Sequence, residues 1–175
     1  SLTGRASDPP TPAGCAVVDY HAAALLAFGI CVALLHRERT QQGQRVETSL
    51  LASALHLQWE PLFYFLNGWD VTRRSEAGLG SPFHQAPYGI YRTSDGYLAL
   101  SLNNLARLGE VVGLPELGSL GPDEAWTKRE EIKRKLEAVL VTASTREWLA
   151  RLRARDLWCG PVLSYPELTE DPHFQ

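Results

Sequence analysis

Apolar and polar positions along the chain fall into blocks with different periods. A breaker-rich approach containing Pro9, Pro10 and Pro12 leads to Val17-Val18-Asp19-Tyr20, and an apolar run follows from Ala22 to Leu35. That run predicts a helix whose last turn carries Arg37 and Arg39, where cations meet the negative end of the helix dipole. Thr40-Gln-Gln-Gly-Gln44 reads as its stop, with Gly43 available for the positive φ that such a stop requires. Arg45 to Leu50 alternates polar and apolar, which is the period of a strand. Leu51, Leu55, Leu62 and Leu66 then mark one side of a second helix, with Pro61 a candidate kink. A helix, a tight return, a strand and a helix together predict part of an α/β layer.

The pattern changes after Leu66. Asn67 to Gln85 is rich in Gly and Ser and reads as a loop. Pro87 to Arg92 and Tyr97 to Leu102 alternate again and flank Thr93-Ser-Asp-Gly96, the signature of an antiparallel hairpin with Leu98, Leu100 and Leu102 on one face. The last third is helical: Ile132, Leu136, Val139 and Leu140 recur at helical spacing, and the mixed-sign run from Lys128 to Glu137 reads as their solvated opposite face. Ser144 and Glu147 form a capping-box pair before Trp148, and Leu157 to Val162 returns as an extended segment. The expected division is 1–66, a linker at 67–86, and 87–175.

Composition narrows the classes. The 175 residues, 45% hydrophobic and 21% charged, suit a globular chain with a real core. A formal charge of -3 leaves no broad basic surface, so nucleic acid is not an expected partner. Cys15, Cys31 and Cys159 follow no metal-ligand spacing and read as reduced thiols of a cytoplasmic protein, and no metal site is expected. The 14-residue run from Ala22 to Leu35 reaches about 21 Å, short of the roughly 30 Å core of a bilayer, so the expectation is a buried helix and no membrane partner. The absence of Met, an opening inside a loop and an ending without a closing element suggest a piece of a longer protein.

Asp19 is the residue with the most chemical interest. Standing where the apolar helix begins, it is either the N-cap or a nucleophile or acid/base kept anionic by the helix dipole. Spacing alone leaves both readings open. Of the histidines, His21 reads as a helix-surface or packing residue, and His36 and His56 as structural. The tryptophans read as core or interface anchors.

Several stretches carry a resemblance: Asp19-Tyr20, Phe28-Gly29-Ile30, Arg39-Thr40, Gly43-Gln44, Ser49-Leu50, Pro87-Tyr88-Gly89, Thr93 with Asp95-Gly96, Trp148, and Gly160-Pro161-Val162. In this order and spacing the chain resembles the family III CoA-transferases, which include formyl-CoA transferase, carnitine CoA-transferase and α-methylacyl-CoA racemase. The resemblance implies an α/β protein, α+β in its second half: part of a Rossmann-like large domain, then a small domain with an antiparallel sheet and helices. It implies that Asp19 is the catalytic aspartate, that a coenzyme A thioester is a substrate with no tightly bound cofactor, and that a carboxylic acid accepts the CoA. It also implies an interlocked homodimer or a missing amino-terminal half as partner.

By the same resemblance the loop with Gly78, Gly80, His84 and Gln85 faces the active site. Two departures bear on substrate. The family's glycine-rich loop has no continuous counterpart beyond Gly78 and Gly80, which speaks against formyl-CoA and oxalate. Asn103-Asn104 stands where the racemases carry a Glu, which leaves racemization as the alternative activity; a silent fragment that serves assembly is the other. Gln41 replaces the Gly that commonly follows Arg-Thr.

Overall fold

A computed structural model describes residues 2–71 and 73–174 and divides them into two units, one of residues 10–71 and one of residues 2–9 with 73–174.

In the first unit, α1 spans Val17–Thr40. Its ladder starts at Ala16, whose carbonyl accepts the Tyr20 N–H at 3.1 Å, so Asp19 is the third residue of the helix and not its N-cap. The helix stops at Gln41, which takes φ 61° and donates its N–H to the Arg37 carbonyl at 2.7 Å. The expected stop at Gly43 is therefore two residues late. A left-handed Gln is tolerated here because its side-chain amide also bonds back, to the Glu38 carbonyl at 3.2 Å.

Residues 42–49 form no strand. A strand needs a neighbour for its N–H and C=O groups, and among the described residues none pairs with this segment. Arg45 and Glu47 pair with each other instead, and Val46 fills the space that Gly29 leaves on α1: a Cβ at Gly29 would lie 2.8 Å from Val46 Cγ1. Gly29 thus has the packing reason that offsets its cost in helix propensity.

The second helical stretch is two helices, α2 (Leu50–Leu57) and α3 (Trp59–Leu66). Ser49 caps α2 by accepting the Ala52 N–H at 3.1 Å. The break falls at Gln58, three residues before Pro61, because the proline ring clashes with the carbonyl four residues earlier, at Leu57.

The burial expected of α1 is not found within this chain. Ala22 is its one buried residue, and Tyr20, Phe28, Val32 and Leu35 are all exposed. At 24 residues α1 is also longer than the apolar run alone implies, and by length and composition it could cross a bilayer. A core helix awaiting its cover passes the same test.

The second unit encloses a core. Strands β1 (Gly89–Arg92) and β2 (Tyr97–Leu100) form the expected hairpin, with Gly89 opposite Leu100 and Arg92 opposite Tyr97. A third strand, β3 (Cys159–Pro161), adds antiparallel to β2, with Leu98 opposite Pro161. Helices α4 (Leu105–Val112), α5 (Pro122–Thr127), α6 (Arg129–Leu140), α7 (Thr145–Arg153) and α8 (Tyr165–Glu170) complete the unit. Leu98 and Leu100 face inward as expected, whereas Leu102 lies past the end of β2 and is exposed. They meet Leu108 of α4, Ile132 and Leu136 of α6 and Leu152 of α7.

Trp148 belongs to that core and donates its indole N–H to the Leu140 carbonyl at 2.7 Å, while Trp59, Trp69 and Trp158 are exposed. The Ser144–Glu147 capping box forms at the start of α7.

The charge run on α6 is not uniformly solvated. Lys133 is 1% exposed: its ammonium donates to the Ile90 carbonyl on β1 and sits 3.6 Å above the Tyr91 ring. It lies beside Ile132 on the helix face turned to the sheet, and its long stem carries the charge to the strand's free acceptor.

Candidate active site

In the first unit, Asp19 occupies the first turn of α1, the end of a helix that favours an anion, where the Val17 N–H is taken by the Cys15 carbonyl at 2.9 Å. Ala16 gives the turn no side-chain cap. The carboxylate is exposed, and among the described residues no hydrogen bond or ion pair engages it. A helix end of this kind presents an accessible carboxylate, a group able to act as a nucleophile.

The residues flanking Asp19 are held by α2. The Ser53 hydroxyl donates to the Val18 carbonyl at 2.9 Å, and His56 Nδ1 lies 2.8 Å from His21 Nε2, with the two ring planes within 18° of each other. Read singly, these two histidines carry no signal; they are 35 residues apart, and only the packing of α2 on α1 joins them.

In the second unit, the other candidate residues share one loop. Gly78 has φ 76°, a conformation that favours glycine, and the Gly80 N–H donates to the Tyr88 carbonyl at 3.0 Å. A Cβ on Gly80 would meet the Tyr88 ring at 2.5 Å, so glycine is needed for that close approach. His84 is half-buried, with Nδ1 2.6 Å from Ser81 Oγ and its ring tilted against Phe83 and Tyr88. Gln85 offers its carbonyl to the Tyr88 N–H at 3.2 Å. Arg129 of α6 pins the loop by donating to the Pro82 carbonyl at 2.8 Å. Gly78, Gly80, His84 and Gln85 thus build a braced loop, while Asp19 belongs to the other unit.

The Thr93 and Asp95-Gly96 motif has an architectural use. Asp95 accepts the Thr145 N–H at 2.8 Å, the Thr145 hydroxyl at 3.1 Å and the Thr93 hydroxyl at 3.2 Å, tying the hairpin turn to the start of α7. The backbone bond from Thr145, and then the hydroxyl bonds, hold the Asp95 carboxyl below the usual carboxylate range. Arg74 likewise serves the frame, donating to the carbonyls of Thr3, Asp8 and Pro9. Among the described residues no three of His, Cys, Asp and Glu converge as metal ligands.

Comparison with known proteins covers the whole chain. The family model described as CoA-transferase family III matches residues 1–175. Succinyl-CoA:mesaconate CoA-transferase of Haloarcula hispanica is 29% identical over 180 residues, covering 98% of this chain and 44% of that protein. Succinate–glutarate CoA-transferase of Agrobacterium fabrum is 26% identical over 183 residues, covering 100% of this chain and 45% of its own.

Among solved structures, Rv3272 of Mycobacterium tuberculosis matches with a TM-score of 0.76 at 24% identity, over 97% of this chain and 47% of that one. A CaiB/BaiF family protein of Brucella suis matches with a TM-score of 0.72 at 25% identity, over 99% and 47%. Their fold agrees with the mixed helices and three-stranded antiparallel sheet described above. The chain spans less than half the length of these relatives.

Proposed function

The chain belongs to CoA-transferase family III, and on that premise we propose that it carries the nucleophile with which the whole enzyme moves CoA from an acyl-CoA thioester to a carboxylic acid. One Asp19 oxygen attacks the thioester carbonyl, the C–S bond breaks, and CoA leaves as thiolate from an acyl-aspartyl anhydride. The thiolate then attacks the aspartyl carbonyl of that anhydride, releasing the donor as its carboxylate and leaving CoA on Asp19 as a thioester. The acceptor carboxylate repeats the sequence in reverse: it displaces CoA from Asp19, and the thiolate attacks the acceptor's acyl carbon. Asp19 returns to carboxylate with no net proton uptake. Each exchange joins groups of similar reactivity, which splits one difficult transfer into accessible steps.

The observation that supports this reading is the placement of Asp19: an exposed carboxylate in the uncapped first turn of α1, in a chain matched by the family from end to end. The two CoA-transferases of Haloarcula hispanica and Agrobacterium fabrum are named for dicarboxylic acids, so succinyl-CoA with a four- or five-carbon diacid heads the substrate panel. The loop of Gly78, Gly80, His84 and Gln85 belongs to the same proposal as a substrate-facing wall. So do a cytoplasmic location and a cover for α1 from a second copy or from an amino-terminal half. That cover accounts for Phe28, Val32 and Leu35, which stand exposed here.

The test is label exchange between CoA esters and free acids by the protein expressed from its complete reading frame. Asp19→Asn is expected to lower the rate by about a thousandfold or more, since removal of a covalent nucleophile removes the pathway. Exchange at the parental rate would overturn the proposal. Exchange of the α-hydrogen without transfer would favour the racemase alternative, and absence of both activities the assembly piece.

A further inference from the structure

The first turn of α1 lacks a side-chain cap, yet it is gripped from outside at two points. Ser53 is fully buried on α2 and donates its hydroxyl to the Val18 carbonyl at 2.9 Å. Three residues later, His56 sets Nδ1 2.8 Å from Nε2 of His21, with ring centroids 5.0 Å apart and planes within 18°. Positions 53 and 56 thus meet positions 18 and 21, a spacing of i, i+3 on both helices, so the contacts lie as two rungs along one face of each.

Asp19 falls between these rungs in sequence. At about 100° of rotation per residue it is turned some 100° from Val18 and some 200° from His21, which leaves its carboxylate on the open side while α2 holds the back of the turn. Both rungs are directional polar contacts, which fix distance and angle more narrowly than apolar packing does. The bond between the rings requires one nitrogen to donate and the other to accept, so one N–H lies in the contact between His21 Nε2 and His56 Nδ1.

We propose that Ser53, His56 and His21 are positioning residues for Asp19, setting the pitch of the first turn so that the carboxylate meets the thioester carbonyl along its line of attack. The inference rests on the CoA-transfer reading of Asp19. None of the three touches substrate. Their effect passes through the backbone of residues 18–21, and it is a kcat effect, because small displacements of a nucleophile cost rate before they cost binding.

The experiment uses the enzyme from its complete reading frame, with kcat and KM measured for CoA exchange and folding followed by thermal unfolding. Asn places its amide nitrogen near the position of the imidazole Nδ1, so His56→Asn keeps a polar partner for His21 whereas His56→Leu does not. We expect His56→Leu and Ser53→Ala each to lower kcat about tenfold with KM within about twofold, and His56→Asn to restore kcat to within about threefold of the parent. Should Asp19→Asn abolish exchange while His56→Leu and Ser53→Ala keep the parental kcat, the positioning role is refuted and the catalytic reading stands. Equal loss in His56→Asn and His56→Leu, tracking a lowered unfolding temperature, refutes it too, because a merely structural role would produce that. Full exchange by Asp19→Asn removes the catalytic reading, and the positioning role with it.

Discussion

The more apolar of two regions in this molecule is the one that leaves its apolar side chains uncovered. The sheet and helices of residues 73–174 close around Leu98, Leu108, Leu136 and Leu152, all fully buried or nearly so. In residues 10–71 only Ala22, Ser53, Pro61 and Val71 are buried among the described residues, and the larger apolar side chains of α1 face outward. An apolar helix pattern therefore states which face must be covered and says nothing of whether the covering layer lies in the same chain. The second unit has its partners within itself. The first has an accessible carboxylate, Asp19, on a helix whose long apolar side stays open.

The sharpest way to break this contrast is paired truncation in the 175-residue chain. Leu136→Ala is expected to cost about 3–4 kcal/mol, for lost transfer energy and a cavity, and Leu35→Ala less than about 0.5 kcal/mol, both by urea unfolding. Equal costs would show that α1 is covered by something the chain itself supplies or recruits.

A smaller effect concerns Lys133. Burial, only partly offset by Glu137 and reinforced by Arg5, takes its ammonium down from the ordinary 10.5 to about 8. The unfolded chain therefore binds more protons than the folded one between pH 8 and 10, and stability rises with pH across that window, by about 1–2 kcal/mol. Burial and Glu137 raise the Tyr91 hydroxyl well above its usual value, so it works the other way only above about pH 10. Lys133→Met should flatten the rise, measured as the urea midpoint at pH 8 and pH 10; an unchanged slope would contradict the assignment.

The smallest effect belongs to the other unit. Gln41→Gly relieves a left-handed residue and should stabilise the chain by about 0.5–1 kcal/mol, seen as a raised unfolding midpoint.

What the sequence made legible was local. The hairpin around Asp95-Gly96, the capping box of Ser144 and Glu147, and the Ile132, Leu136, Leu140 face of α6 all depend on residues within a turn or two of each other, and all stand as expected. The failures are long-range. Arg45 to Leu50 has the period of a strand but no partner among the described residues. Lys133 is buried because a strand carbonyl 43 residues away is open to it. Asp19 was singled out by resemblance, and its reading as an N-cap does not hold, since Ala16 starts the ladder without any side-chain signal. The grip of Ser53 and His56 on its turn was not legible at all, because nothing local couples positions 18 and 21 to 53 and 56.

The central claim is that Asp19 carries the acyl group and then CoA. Its most direct measurement is chemical trapping: incubate the enzyme from its complete reading frame with succinyl-CoA, quench with hydroxylamine, and map the modified peptide by mass spectrometry. The account predicts a hydroxamate at Asp19 that forms only when the CoA ester is present and is absent from Asp19→Asn. Steady CoA exchange with no hydroxamate on the peptide containing Asp19 would contradict it.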